Sequence, residues 1–207
     1  MTVASLHVEL IEVSRNALKL IYAACRQCYS AAFAGQIFSD KSQALNRQEE
    51  FVRQVISSGH ESPLEHVKFT FAIEGVSRAL THQLVRHRLA SYSQQSQRYV
   101  KESDFDYIIP PSIEADEEMK KEYTNTMRHI HESYNRLLKA FNSKGKRGES
   151  ANQDARFVLP QGAETKIVVT MNCRELMHFF KERCCSRAQW EIRRLAEEML
   201  RICRQEL

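Results

Sequence analysis

Apolar positions recur along the chain with two periods, one of two residues and one of three to four, and the changes between them mark out the elements. Residues 5–13 alternate, with Leu6, Val8 and Leu10 on one side and His7, Glu9 and Ile11 on the other, and predict a strand. Helical spacing takes over across 15–31, where Leu18, Ile21, Tyr22 and Cys25 recur, and across 41–58, which Ser57-Ser58-Gly59 ends. Glu61-Ser62-Pro63 predicts a turn or a helix start. Val67, Phe69, Phe71 and Ile73 alternate cleanly and predict a strand over 67–74 with one buried face. Ser77 is an N-cap candidate for a helix over 78–88. The polar stretch 89–97 reads as a loop, and 98–108 as a strand closed by Pro110-Pro111.

A long charged helix is expected over 114–143, with Tyr123, Met127, Ile130, Tyr134, Leu137, Leu138 and Phe141 as its apolar stripe. A surface loop over 143–149 leads to a short helix over 150–157 that ends before Pro160. Residues 164–171 predict a strand. Asn172, with Glu175 three residues on, then opens a final helix. About four strands and five or six helices, with no repeat or linker, give an α+β class. The expectation is a small antiparallel or mixed sheet with long flanking helices in a single domain over 1–207.

Composition removes several functions. The six glycines include no G-x-G-x-x-G and no P-loop spacing, so the common glycine-rich phosphate cradles are excluded. A 43% hydrophobic content argues against disorder, and no apolar run approaches the roughly 18 residues of a membrane span. Thirty Lys and Arg against 26 Asp and Glu leave a net charge of +4, mild for a DNA-coating protein but compatible with a few phosphate sites. The opening residues lack the basic head and apolar centre of a signal peptide, so a cytoplasmic location with reduced thiols is expected. Cys25-x-x-Cys28 has no second ligand pair in the sequence. The six cysteines therefore read as buried structural thiols, and no metal site is expected.

The densest chemistry lies in Arg86-His87-Arg88-Leu89-Ala90-Ser91-Tyr92-Ser93-Gln94-Gln95-Ser96-Gln97-Arg98-Tyr99. No acidic residue occurs between Glu74 and Glu102 to neutralise it. Guanidinium forks grip phosphate through paired hydrogen bonds, and hydroxyls and amides complete a cradle. The residues alone leave open a nucleotide site, a nucleic-acid-binding module using the Arg86–Tyr99 loop, and a solvated basic patch.

The arrangement Arg-His-Arg-x-x-Ser-x-x-x-x-Ser-x-Arg-Tyr over Arg86–Tyr99 resembles the signature of the flavin-dependent thymidylate synthases. Further blocks resemble the family in order: Gly59–His66, Asp154–Pro160, Asn172–Leu176 and Arg183–Ile192. The resemblance implies an enzyme that makes dTMP from dUMP, with methylenetetrahydrofolate as carbon donor, NADPH as reductant and FAD as hydride carrier. It implies a homotetramer with active sites at subunit interfaces, small-molecule substrates, and neither nucleic acid nor membrane as partner. Carried over by position, Ser62, Arg86, His87, Arg88, Gln94, Asn172, Arg174 and His178 are expected to bind FAD. Gln83, Arg86, Gln94, Gln95, Ser96, Gln97, Arg98, Arg156 and Arg183 are expected to bind dUMP, with Arg183 as the catalytic residue. Tyr99 and His60 are expected to line the flavin and folate region. Ser93 departs from the residue that many relatives carry, and Gln94, Gln153 and Arg187 from residues that some carry.

Beside the resemblance stands a physical case. Hydride addition to a uracil ring builds negative charge on its N3–O2/O4 system, and a fixed cation stabilises that charge most in the transition state. Arginine stays protonated and is a poor base, so an electrostatic role suits Arg183. Cys184 or Cys185 as a nucleophile is the rival mechanism. Arg174 and His178 share a helix face, whereas Arg183, nine residues after Arg174, points to roughly the opposite side. One helix would then serve two ligands or two sites, as at a subunit interface. Glu65 and His66 form a weaker acid–base candidate, and His129 and His131 read as surface residues.

Overall fold

The computed structural model describes residues 1–206. Four strands, β1 (His7–Val13), β2 (Lys68–Ser77), β3 (Ala90–Gln94) and β4 (Glu164–Asn172), form one antiparallel sheet in the order β1-β2-β4-β3. The helices are α1 (Ala17–Gln27), α2 (Ala34–Ser39), α3 (Leu45–Ser57), α4 (Arg78–Leu84), α5 (Pro111–Glu114), α6 (Glu117–Ser143), α7 (Glu149–Ala155), α8 (Cys173–Arg183) and α9 (Trp190–Glu206). Short 3-10 turns lie at Ser62–His66 and Arg156–Val158. The α+β class stands. The described residues hold nine helices rather than five or six, because α2 and α5 are single short turns and the expected last helix is broken in two.

The chain divides into two compact units, each built from three stretches. The first comprises Met1–His7, Ile73–Arg86 and Tyr92–Val168. Its α6 starts on Asp116, whose side chain accepts from the backbone N–H of Glu118 and of Met119 at 2.9 Å each, with Glu117 and Glu118 favourably placed in the first turn. The stripe read from the sequence is the buried one. Met127 packs with Phe105, Tyr107, Ile109 and Ala163, and Tyr134 and Leu138 pack with Ala151 and Ala155. Each such large side chain contributes about 1.5–3 kcal/mol of burial. Tyr134 also accepts the Glu102 N–H on its hydroxyl at 3.1 Å. Gly75 allows a close approach: its φ is 68°, and a Cβ there would lie 1.8 Å from the Ser5 carbonyl oxygen.

The second unit comprises Val8–Ala72, His87–Ser91 and Val169–Leu207. Val67, Phe69 and Phe71 are buried as their alternation predicts, and Val8 is the buried member of β1. In α9, Ile192, Leu195, Ala196 and Met199 are fully buried at helical spacing. Strand β2 meets β4 through a hydrogen bond between the Thr70 and Thr170 hydroxyls at 2.9 Å, and Cys173 N–H donates to the Val67 carbonyl at 2.9 Å.

Three expectations are corrected. Residues 90–94 are not loop but the edge strand β3. An edge strand needs only one paired neighbour and tolerates polar side chains on both faces, so hydrophobic alternation does not announce it. Residues 98–108 form no strand; only Tyr107 makes isolated bridges, to Val3 and Ala163. Carboxylates in this stretch are occupied by the N-terminal residues instead, as where Asp106 accepts from the Thr2 N–H and hydroxyl at 2.5 and 2.8 Å. The last helix stops at Arg183 and restarts at Trp190, because the Gln189 side-chain oxygen accepts the backbone N–H groups of Glu191 and Ile192 at 2.9 and 3.1 Å, capping a new helix.

Candidate active site

The first unit carries most residues expected to bind the nucleotide. Ser77 caps α4 by accepting the Leu80 N–H at 3.0 Å, as its sequence position predicts. Backbone N–H groups of Arg78 and Ala79 donate to the carbonyls of Ala163 and Gln161, both at 3.0 Å, which fixes the chain after Pro160 against the start of this helix. A cleft of about 300 Å³ lies there, lined by Arg78, His82, Gln97, Arg156, Phe157 and Pro160 among others. Arg78 and Arg156 stand close enough that their charges interact. Burial first, then the Arg156 charge, pulls the Arg78 guanidinium below its usual value, and Glu102 partly opposes this. The cleft therefore concentrates positive charge beside amide donors. Arg78 and His82 were not singled out in the sequence; the signal was present, since both fall on the helix that Ser77 opens.

Gln94 is held by the hydroxyls of Thr81 and Thr165, at 3.0 and 3.3 Å. Gln95 N–H donates to the Lys166 carbonyl at 2.9 Å and so continues the sheet pairing. The Ser96 hydroxyl accepts the Arg98 N–H at 3.3 Å and organises the turn that follows. Arg98 is ion-paired to Glu149, stacks over the Tyr99 ring at 5.4 Å, and has a buried Nε with no acceptor among the described residues. The stretch is thus not free of counter-charge, although no acid lies near it in sequence. Gln83 is half-buried on α4 and Arg86 exposed just beyond it.

The second unit gathers a different set. Its N-cap is Asn172, whose side-chain oxygen accepts the Glu175 N–H at 2.8 Å. His87 is buried, and the Glu175 carboxylate faces its Nδ1 at 3.3 Å. Arg183 Nε–H donates to His87 Nε2 at 3.0 Å. The His178 ring lies 5.9 Å from the His87 ring, and the fully buried Phe179 meets it edge-on at 4.9 Å. Burial and then the Arg183 charge depress the His87 pKa, and Glu175 does not offset them. The imidazole is therefore neutral near pH 7, and its Nε2 is an acceptor because Arg183 only donates. Among the described residues no carboxylate is ion-paired with Arg183.

Arg174 goes elsewhere, to Glu65 at 2.5 Å and Glu61 at 3.6 Å, so Arg174 and Arg183 serve opposite sides of α8 as their nine-residue spacing requires. Ser62, Arg88 and His178 are exposed, and neither Arg86 nor Arg88 is ion-paired among the described residues. In sequence Glu175 marks only a capping position; its place on the face shared by 179 and 183 is the signal for a second role. Glu65 forms an ion pair with Arg174, and no pairing with His66 is seen. His131 is half-buried and bonded to the Ser103 carbonyl at 2.5 Å, not a surface residue as expected. All six cysteines are free thiols, and Cys28 and Cys185 are exposed, not buried. Cys184 is half-buried and burial raises its pKa, which disfavours the thiolate a nucleophile needs.

A family described as thymidylate synthase complementing protein matches residues 9–207. The chain is 53% identical over 203 residues to a flavin-dependent thymidylate synthase of Nitratidesulfovibrio vulgaris, covering 97% of this chain and 83% of that protein. It is 49% identical over 201 residues to the flavin-dependent thymidylate synthase of Clostridium tetani, covering 93% and 80%. Against the protein of that same name from Pyrococcus furiosus it is 43% identical over 201 residues, covering 93% and 77%.

Proposed function

The chain belongs to the flavin-dependent thymidylate synthases, which are enzymes, and on that premise we propose that it converts dUMP to dTMP with methylenetetrahydrofolate as carbon donor and NADPH as reductant. The observation that carries the reading is Arg183: a half-buried guanidinium tethered through Nε to a neutral imidazole, with no carboxylate paired to it among the described residues. Its two terminal nitrogens keep their charge for a ligand. A uracil ring gaining hydride becomes anionic along N3–O2/O4, and a cation already in place stabilises that charge without reorganising. A carboxylate partner would cancel this effect.

The nucleotide phosphate is assigned to the cleft of the first unit. Arg156 and Gln97 line it, Ser96 and Arg98 sit in the adjoining turn, and the buried Nε of Arg98 lacks an acceptor that an anionic ligand would supply. Gln83, Gln94 and Gln95 complete the nucleotide set, with Gln94 fixed by its two threonines.

The donor set fits a dinucleotide. Arg86 and Arg88 are each exposed, with no ion pair among the described residues, and a guanidinium suits a phosphate oxygen; Asn172 keeps its amide N–H groups free of its capping bond. Ser62 and His178, also in the proposed set, are exposed, while Arg174 would have to exchange Glu61 and Glu65 for a flavin oxygen. FAD, when bound, supplies the hydride chemistry; the residues here bind, orient and exclude water. A homotetramer with sites at subunit interfaces, in the cytoplasm, belongs to the same reading, and the family likeness supports it.

The test is Arg183→Ala. Flavin should stay bound while dTMP formation from dUMP, NADPH and methylenetetrahydrofolate falls on the order of 10²–10³-fold. Near-normal turnover removes Arg183 from catalysis, and a protein unable to take up FAD sinks the reading.

A further inference from the structure

Glu175 has no part in the reading above, yet it is one of the few buried carboxylates of the chain, 5% exposed. An ionised carboxylate that deep is costly unless something holds it. It lies in the first turn of α8, where the helix dipole favours an anion, and it points at His87 Nδ1. Residues 175, 179 and 183 advance by about 40° per step around the helix, so the three side chains fall on one side. That side faces His87: Glu175 at one ring nitrogen, Phe179 against the ring edge, Arg183 at the other nitrogen.

The protons can be assigned by elimination. Arg183 Nε carries a hydrogen and has no lone pair to offer, so His87 Nε2 must be bare. The single imidazole proton is then on Nδ1, where the Glu175 carboxylate accepts it. An Nε2–H tautomer, or a doubly protonated ring, would set N–H against N–H and push Arg183 away.

We propose that Glu175 is a positioning residue for the reaction: by accepting the Nδ1 proton of His87 it keeps Nε2 bare, and Nε2 holds the Arg183 guanidinium in its working orientation. The proposal rests on Arg183 acting at the uracil ring. The arrangement solves a specific problem. A carboxylate placed directly on Arg183 would fix it but neutralise it. An imidazole inserted between the two transmits the orientation and takes only Nε, leaving both terminal nitrogens for the substrate. It also keeps the negative charge one ring away from a site where negative charge develops. Glu175, Arg183 and His178, all from α8, act electrostatically on His87.

The experiment uses the flavin-loaded enzyme, ¹⁵N-labelled at histidine. Wild-type His87 should show an unprotonated Nε2 and a protonated Nδ1; the reverse tautomer in the wild type overturns the proposal without any variant. In Glu175→Gln the side chain keeps its shape and loses its charge. An amide replacing an orienting carboxylate turns a histidine to its other tautomer, so Nε2 should become protonated. Turnover should fall on the order of 10- to 100-fold with FAD content unchanged. Glu175→Asp, which restores the carboxylate, should recover the native tautomer and most of the lost rate. The deciding measurement is a double-mutant cycle. In the Arg183→Ala background, Glu175→Gln should add less than about a twofold further loss. An equal loss in both backgrounds makes Glu175 merely structural and overturns the proposal, as does a Glu175→Gln enzyme with the native tautomer and full turnover. Full turnover in Arg183→Ala alone is a separate failure, that of the assignment of Arg183, and takes the positioning role with it; the tautomer still reports whether Glu175 governs His87.

Discussion

Lowering the pH should destabilise this protein through His87, by an amount that the site bounds. The ring is 7% exposed, and burial, then Arg183, hold its pKa below the ordinary 6.5 despite Glu175. The unfolded chain takes up a proton at this residue as pH falls through 6.5, while the folded chain resists it. Stability present above pH 6.5 is therefore lost progressively below it, until the folded ring is itself protonated. One proton difference is worth about 1.4 kcal/mol per pH unit. Between pH 7.5 and 5.5 a single site can thus remove at most about 1.4 kcal/mol, the last unit supplying about three quarters of it. That is a readable fraction of the roughly 5–15 kcal/mol that holds a domain folded. Urea unfolding of the wild type and of His87→Gln at the two pH values isolates it, because every other titrating group is common to both proteins. The wild type should lose more than the variant, by up to about 1.4 kcal/mol. Equal losses would refute the depressed pKa, and a smaller loss in the wild type would mean that Glu175 outweighs burial and Arg183.

Three other outcomes follow from the packing. Asp116→Ala removes the acceptor for two N–H groups at the start of α6 and should lower stability by about 1 kcal/mol in a denaturant titration, with flavin content unaffected. Gly75→Ala places a methyl where the Ser5 carbonyl stands 1.8 Å away, at a φ of 68°, so soluble folded yield should collapse, whereas Gly59→Ala, with open space around it, should cost only about 1 kcal/mol for its positive φ. A thiol reagent should titrate Cys28 and Cys185 quickly in the native protein. Cys173 and Cys203, pushed up to about 11 and about 12 by burial, should react only on unfolding.

Much of this protein was legible in the order of its residues. The alternation of Val67, Phe69 and Phe71, the stripe of α6 and the caps Ser77 and Asn172 are local signals, because the period of a strand or helix and the reach of a capping side chain span only a few residues. The signature across Arg86–Tyr99 was equally local, and so was the family. Tertiary structure decided the charges. In sequence the basic cluster has no acid between Glu74 and Glu102, yet Arg98 is met by Glu149, 51 residues on, and His87 by Glu175, 88 residues on. It also decided the edge strand β3, whose polar residues carry no periodic mark because only its neighbour β4 requires it to be extended. The state of Arg183 belongs to this second class. Its type was fixed by its position in the chain, but whether it faces a carboxylate or a neutral ring depends on which buried group folding brings within 3.0 Å, and that contact sets how much of its charge remains for a ligand.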